Sequence, residues 1–307
     1  MKQDARIQII RRTSWIGIIG NGFLALLKII LGLFSGSIAV VADGIDSSAD
    51  IVTSLITLFT ANIINEPPDK EHPWGHARAE TIATKALSFF IFFAGAQLFI
   101  STIQNLLTNE LRQLPGKWAL VAAGISIIGK ILLALNKYNA GKITKSSMLI
   151  ADAKNMQNDI ILSLTVLIGL GCTYYFNLPL IDMLTGLFIS LWIMKTAYSL
   201  FMETSIELMD SVSDDTLYST VFKAATETPG VINPHRARIR KLNNLYDIDL
   251  DIEVCGTISV REAHGIAVKV EENIKKALPE IFDIMVHVEP EGNIESGEQF
   301  GLTPEDF

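Results

Sequence analysis

The chain has 307 residues, of which 49% are hydrophobic and only 19% charged, and its mean hydropathy is +0.35. These values exclude an ordinary soluble enzyme and are typical of a multi-span membrane protein with a soluble appendage. The net charge of −8 comes from the part after residue 202, since residues 1–202 carry more Lys and Arg than Asp and Glu. An acidic appendage disfavours nucleic acid as a partner and suits divalent cations. The two cysteines lie far apart in the sequence and provide neither a disulfide framework nor a thiolate metal site.

Six apolar stretches are long enough to cross a bilayer. They run roughly over Trp15–Phe34, Ile38–Ile64, Ala79–Leu107, Trp118–Tyr138, Met148–Tyr175 and Pro179–Phe201. Lys and Arg precede the first stretch and recur in the second and fourth connections. The first and fifth connections have none, and the third has only Arg112 and Lys117. The positive-inside rule therefore predicts cytoplasmic termini, and the short connections favour a bacterial plasma membrane.

The pattern changes after residue 202. An amphipathic helix is predicted near 214–225, followed by period-two alternation typical of strands, then a helix and a last short strand. The predicted elements are a helix over 214–225, strands over Arg236–Leu242 and Tyr246–Val254, a helix over Val260–Leu278 and a strand over Ile284–Val288. This order predicts a small α+β domain with a three-stranded sheet over 203–292. The acidic tail 293–307 is predicted to be disordered.

Two spans carry polar pairs at i and i+4, which lie on one face of a helix. Asp46 and Asp50 form the pair in the second span, and Asn155 and Asp159 form the pair in the fifth. Ionisable groups inside a membrane are costly and indicate a functional site. Three carboxylates and one amide oxygen provide an oxygen shell for a divalent cation. Protonated acids that hydrogen-bond between helices, or a proton relay without metal, are the alternatives. Asp43 is interpreted as a mouth or structural residue and thus as a bystander to the ion site.

The connection between the second and third spans holds a second group of metal-ligand residue types. Asp69, His72 and His76 fall within one short stretch, where Pro73 and Gly75 favour a turn. A carboxylate with imidazoles suits Zn²⁺ or Mn²⁺. The alternative is a solvated polar loop with a structural histidine.

Three segments together resemble the cation diffusion facilitator family. They are ADGIDSSAD at 42–50, HPWGHARAE at 72–80 and DAKNMQND at 152–159. The resemblance implies six transmembrane helices, cytoplasmic termini and a C-terminal domain with a metallochaperone-like, ferredoxin-like α+β fold. It also implies a homodimer in the lipid bilayer that exports divalent metal in exchange for protons by alternating access, and that is not an enzyme.

The resemblance also assigns residues to sites. Asp46, Asp50, Asn155 and Asp159 match the transport site, and Asp69, His72 and His76 match the loop site. A regulatory site at the cytoplasmic dimer interface matches a set of five: His235, Asp251, His264, His287 and Glu289. Arg78 matches a basic residue that pairs with an acid after the sixth span, for which Asp210 is the candidate.

The transported metal is inferred from one residue at which the transport site differs from that of the family's zinc transporters. Zinc transporters of the family have His where this chain has Asn155, whereas the manganese-type branch has Asn. An all-oxygen site suits harder ions, and removal of the nitrogen ligand weakens the advantage of Zn²⁺. Mn²⁺ is therefore the predicted cargo, with Zn²⁺, Fe²⁺ and Cd²⁺ as alternatives. A membrane metal sensor is a rival function, whereas a membrane metalloprotease would need a HExxH pair, which the sequence lacks.

Overall fold

The computed structural model describes residues 3–64, 66, 69–76, 78–107, 113–144, 146–212, 214–242, 245–293 and 300–307. Arg112, named above for the membrane orientation, lies outside these residues. The chain divides into two compact units, one formed by Met1–Asn62 with Ala83–Phe201 and the other by Ile63–Ile82 with Met202–Phe307.

Among the described residues, six long helices form most of the first unit. These are α1 (Gln3–Ser35), α2 (Ile38–Ile64), α3 (Ala79–Leu107), α4 (Trp118–Thr144), α5 (Ser147–Phe176) and α6 (Leu180–Leu208). All except α2 contain a segment long and apolar enough to cross a membrane, and α2 has 27 residues with three aspartates in its first half. The six predicted helices are all present, and five of them have the length and hydropathy of a membrane span within the described residues. α1, α4 and α6 extend beyond the predicted stretches, because hydropathy marks the apolar part of a helix rather than its hydrogen-bonded ends.

Small residues let the helices of this unit approach closely, as is usual in membrane bundles. One buried apolar cluster contains residues from α2, α4, α5 and α6, including Ala39, Ala122, Val166 and Ile189. At Gly44 a Cβ atom would lie 3.1 Å from the backbone nitrogen of Ile29. The absence of that atom brings α2 against α1 beside the aspartates of α2.

A buried carboxylate joins α6 to the start of α2. The Ser37 hydroxyl donates to Asp182 Oδ1 at 2.6 Å, and the Ile38 backbone N–H donates to Asp182 Oδ2 at 3.0 Å. Negative charge at a helix N-terminus satisfies its unpaired N–H groups and complements its dipole. Asp182 therefore holds the end of the helix that carries the first predicted polar pair.

The second unit contains the predicted α+β domain. Its elements are α7 (Asp215–Thr226), β1 (Ile232–Leu242), β2 (Leu245–Val254), α8 (Val260–Ala277) and β3 (Ile281–Pro290). The sheet order is β1-β2-β3, with β1 and β2 antiparallel and β2 and β3 parallel. Val221 of α7, Leu250 of β2 and Ile274 of α8 belong to its buried core. The predicted fold class is confirmed. Ser259 is the N-cap of α8 and forms a capping box with Glu262.

The predicted disorder of the acidic tail is wrong for residues 300–307. Leu302 and Ala237 exchange two backbone hydrogen bonds of 2.9 and 3.0 Å, so the tail pairs with the free edge of β1. Phe307 stacks on Tyr218 with ring centroids 5.3 Å apart. Composition missed this segment because its order comes from an edge strand and an aromatic contact, which are tertiary features.

Candidate metal centres

Three carboxylates from two helices meet in the helical unit. Asp46 and Asp50 lie one turn apart on α2 and Asp159 lies on α5, and one oxygen of each lies within 4.8 Å of the others. Asp46 and Asp159 are partly buried and Asp50 is exposed. Carboxylates at this spacing repel one another unless a cation or a proton neutralises them. The oxygen-only donor set fits a hard divalent cation.

Asn155 lies one turn before Asp159 on α5, and its side chain is exposed. In the structure, three of the four predicted ligands therefore lie close together, and the Asn155 amide lies on the neighbouring turn of α5. Its role as a ligand stays a prediction.

A buried ion pair beside this group explains the role of Asp43. Lys28 Nζ lies 2.9 Å from Asp43 Oδ2, and the two side chains are 0% and 1% exposed. Lys28 also donates to Ser47 and Ser163 at 2.9 and 3.2 Å, and the Ser163 hydroxyl lies 2.9 Å from Asp43 Oδ1. Asp43 therefore has a structural role outside the three-carboxylate group, as predicted, because its carboxylate neutralises a lysine of α1. The sequence did contain a signal for this pair, because Lys28 lies inside an apolar stretch and a buried lysine needs an acidic partner.

A second buried lysine, also missed from the sequence, contacts the three-carboxylate group itself. Lys130 of α4 is 1% exposed, and its Nζ lies 3.6 Å from Asp159 Oδ2. This ammonium has no hydrogen-bond acceptor among the described residues. A fixed cation therefore borders the candidate ion site.

The loop residues Asp69, His72 and His76 form the second group whose ligand atoms lie within 4.8 Å of one another. His72 Nδ1 lies 3.4 Å from Asp69 Oδ1, and His76 Nε2 lies 3.6 Å from Asp69 Oδ2. A left-handed Gly75 (φ 78°) makes the turn that brings the two rings within 4.4 Å. Hydrogen bonds from the backbone N–H groups of His72 and Glu71 lower the pKa of Asp69, which favours the anionic carboxylate.

The end of this loop contacts the rest of the second unit. Arg78 forms an ion pair with Asp210 and donates to the Leu208 carbonyl at 3.1 Å. The guanidinium of Arg240 lies 4.4 Å from the centre of the Trp74 ring, a cation–π distance. The pairing of Arg78 with Asp210 is found as expected.

The five predicted cytoplasmic ligands are only partly brought together. Glu289 is buried and lies between two imidazoles, with its oxygens 3.6 Å from His235 Nε2 and 3.4 Å from His287 Nε2. Neither oxygen has a hydrogen-bond partner among the described residues. His264 is exposed on α8. Within the described parts of the chain the five residues do not form a third group of the compact kind seen above.

Asp251 is already paired within the chain. Arg236 Nη1 lies 2.8 Å from Asp251 Oδ2, and the backbone of Arg236 is left-handed, with φ 50°. Burial raises the pKa of Asp251, while the charge of Arg236 opposes this shift. Arg236 was not among the predicted residues, and its guanidinium pairs with the carboxylate that was predicted to bind metal.

Comparison with known proteins agrees with the architecture. The family described as the cation efflux transmembrane domain matches residues 14–209, and the cytoplasmic domain of cation efflux proteins matches residues 213–291.

The chain is similar to the manganese efflux system protein MneS of Bacillus subtilis, with 32% identity covering 87% of this chain and 91% of MneS. It is also similar to the manganese efflux system protein MneP of the same organism, with 28% identity covering 93% of this chain and 97% of MneP. For the cation-efflux pump FieF of Salmonella typhi the identity is 30%, covering 87% of this chain and 88% of FieF. The chain therefore belongs to the cation diffusion facilitator family, whose members are multi-pass membrane transporters of metal cations.

Proposed function

We propose that this protein exports Mn²⁺ from the cytoplasm across the plasma membrane, in exchange for protons, as a homodimer that works by alternating access with cytoplasmic termini. The observation that carries the proposal is the group of three carboxylates at Asp46, Asp50 and Asp159. The names of the two manganese-efflux relatives support the choice of metal.

Ligand chemistry favours Mn²⁺ over Zn²⁺. The grouped ligands are carboxylates, Asn155 adds an amide on the next turn, and the sequence has no histidine in any of the six helices. Nitrogen and sulfur ligands favour Zn²⁺, whereas oxygen ligands suit Mn²⁺. Export of Zn²⁺, Fe²⁺ or Cd²⁺ by the same route is the alternative within the transporter class.

The selectivity proposal is tested by Asn155→His. We expect a gain of Zn²⁺ transport and a loss of preference for Mn²⁺, because an imidazole restores the borderline ligand. Uptake of each ion into proteoliposomes is measured with the two metals alone and in competition. If both ions move as in the wild type, Asn155 does not set selectivity.

Proton exchange is assigned to the same carboxylates. With no histidine in the six helices, Asp46, Asp50 and Asp159 are the groups that alternate between protons and metal. Mn²⁺ uptake is measured with an imposed pH gradient and after a protonophore collapses it. A rate that does not depend on the gradient contradicts coupled exchange.

The two further sites are proposed to bind metal on the cytoplasmic side. The loop site consists of Asp69, His72 and His76, and its anionic carboxylate and two imidazoles suit Mn²⁺ or Zn²⁺. The regulatory site centres on Glu289 with His235 and His287, and Asp251 and His264 join it at the dimer interface. Because Arg236 already neutralises Asp251, we expect this site to bind metal more weakly than the loop site.

A membrane metal sensor is the rival function, since it would use the same ligands. Purified protein in sealed vesicles separates the two functions by accumulation of Mn²⁺ inside the vesicle. A transporter moves many ions per protein, whereas a sensor binds ions without translocation.

A further inference from the structure

The two buried lysines of the helical unit differ in how well they are satisfied. Lys28 has three oxygen partners within 3.2 Å, from Asp43, Ser47 and Ser163. Lys130 has one carboxylate at 3.6 Å and no hydrogen-bond acceptor among the described residues. An ammonium has three donors, and leaving them unmade in a buried position is costly. A merely structural lysine would resemble Lys28, so the position of Lys130 needs another explanation.

The charges around Lys130 match a divalent cation. Asp43 is neutralised by Lys28, which leaves Asp46, Asp50 and Asp159 facing the single charge of Lys130. Three carboxylates and one ammonium sum to two negative charges when all are ionised. One divalent ion then makes the site neutral, whereas without the lysine a loaded site would keep one negative charge and would hold the cation more tightly.

We propose that Lys130 is a tethered counter-cation of the transport site, which neutralises Asp159 in the metal-free protein and is displaced from it by the metal. This inference rests on the proposed function, since it takes the three carboxylates as the transport site. Lys130 is thus a positioning residue that acts on the ion through Asp159.

The displaced ammonium has an acceptor one turn away. Ser126 precedes Lys130 by four residues on α4, so both side chains lie on one face of the helix. The Ser126 hydroxyl is buried and, within the described residues, has no hydrogen-bond partner. The ammonium therefore moves between Asp159 in the metal-free site and Ser126 in the loaded site.

This exchange has opposite effects on binding and release. Metal binding is weakened because the ion must compete with the ammonium for Asp159. Release is eased because the ammonium returns to the carboxylate as the ion departs. Removal of the charge should therefore tighten binding and slow turnover, whereas loss of a structural residue would weaken both.

The test is Lys130→Met in the full-length protein, with Mn²⁺ binding measured by titration calorimetry and uptake measured in proteoliposomes. We expect the Kd for Mn²⁺ to fall on the order of tenfold and the maximal uptake rate to fall as well. Lys130→Arg keeps the charge and should leave the Kd within about threefold of wild type. A Kd for Lys130→Met that is unchanged or raised overturns the proposal.

Lys137→Met is the matched control. Lys137 lies on the same helix and pairs with Asp152 of α5 at 3.2 Å, away from the three carboxylates. Its replacement should change neither the Kd nor the uptake rate. An equal fall of the Kd in both variants would indicate a general charge effect and would overturn the specific role of Lys130.

Ser126→Ala keeps the proposal testable if Lys130→Met does not fold. This small change removes only the acceptor, and we expect the Kd for Mn²⁺ to rise about threefold; an unchanged Kd refutes the exchange. Asp159→Asn distinguishes a failure of the Lys130 proposal from a failure of the proposed transport site. This variant should lose Mn²⁺ binding whether or not Lys130 acts as a counter-cation. If Asp159→Asn binds Mn²⁺ as tightly as wild type, the transport site itself is wrongly assigned.

Discussion

Replacement of Asp43 by alanine should destabilise the helical unit strongly. The carboxylate is 1% exposed. It forms an ion pair with the ammonium of Lys28 at 2.9 Å and accepts a hydrogen bond from the hydroxyl of Ser163 at 2.9 Å. Without it, a fully buried ammonium keeps only two hydroxyl partners. Breaking a buried ion pair by removing one partner costs about 3–5 kcal/mol, because the remaining charge is uncompensated. We expect a loss of this size in the free energy of unfolding.

The assay is equilibrium unfolding of purified protein in mixed micelles with increasing SDS, followed by helical circular dichroism. Asp152→Ala is the control, since it removes the partner of Lys137 from a pair in which Asp152 is 42% exposed. Solvent screening limits such a pair to about 1 kcal/mol or less. The double variant Lys28→Met with Asp43→Leu should recover most of the stability, because an apolar pair replaces the ionic one. A loss below about 1 kcal/mol in Asp43→Ala, or no recovery in the double variant, refutes this reasoning.

Three further predictions concern the cytoplasmic domain. The Glu253 carboxylate accepts a 2.6 Å hydrogen bond from the Asn233 side chain, and this bond lowers the pKa of Glu253. The hydrogen bond therefore stabilises the folded domain above the pKa that Glu253 has in the unfolded chain, and this stability is lost as the pH falls through the pKa of Glu253 in the folded domain. Glu253→Gln should therefore make Tm depend less on pH in the acid range. Gly301 has φ 99°, and a Cβ there would lie 2.8 Å from backbone atoms of β1, so Gly301→Ala should release the tail and speed its cleavage by protease. Ser259→Ala removes the N-cap of α8 and should lower the free energy of unfolding by about 1 kcal/mol, as measured by urea denaturation, while an unchanged midpoint would count against the cap.

The architecture could be predicted because its signals are periodic or local. Hydropathy found the six helices, and alternation found the three strands with their order along the chain. The i,i+4 spacing of Asp46 and Asp50 predicted that they share a face, and the predicted Asp159 of α5 lies close to both in the structure. The helix over Val260–Leu278 was predicted within a residue of its observed end, and its capping box is also a local signal.

The rest depends on contacts between segments distant in sequence. Lys28 and Lys130 lie inside apolar stretches, but the neighbouring sequence does not indicate which acidic residue each lysine pairs with. The partner of Asp251 proved to be Arg236 from the neighbouring strand, a consequence of strand register and an irregular β1 backbone. The tail was misjudged because composition reports average hydrophobicity, whereas its order depends on an open strand edge at Ala237.

The proposed function requires that Asp46, Asp50 and Asp159 hold the transported ion. Mn²⁺ uptake into proteoliposomes that contain Asp50→Ala, beside the wild type and Asp152→Ala, tests this requirement. We predict uptake by the wild type and by Asp152→Ala, and none above empty liposomes by Asp50→Ala, with the helical circular dichroism of all three alike. Uptake by Asp50→Ala at the wild-type rate would contradict it.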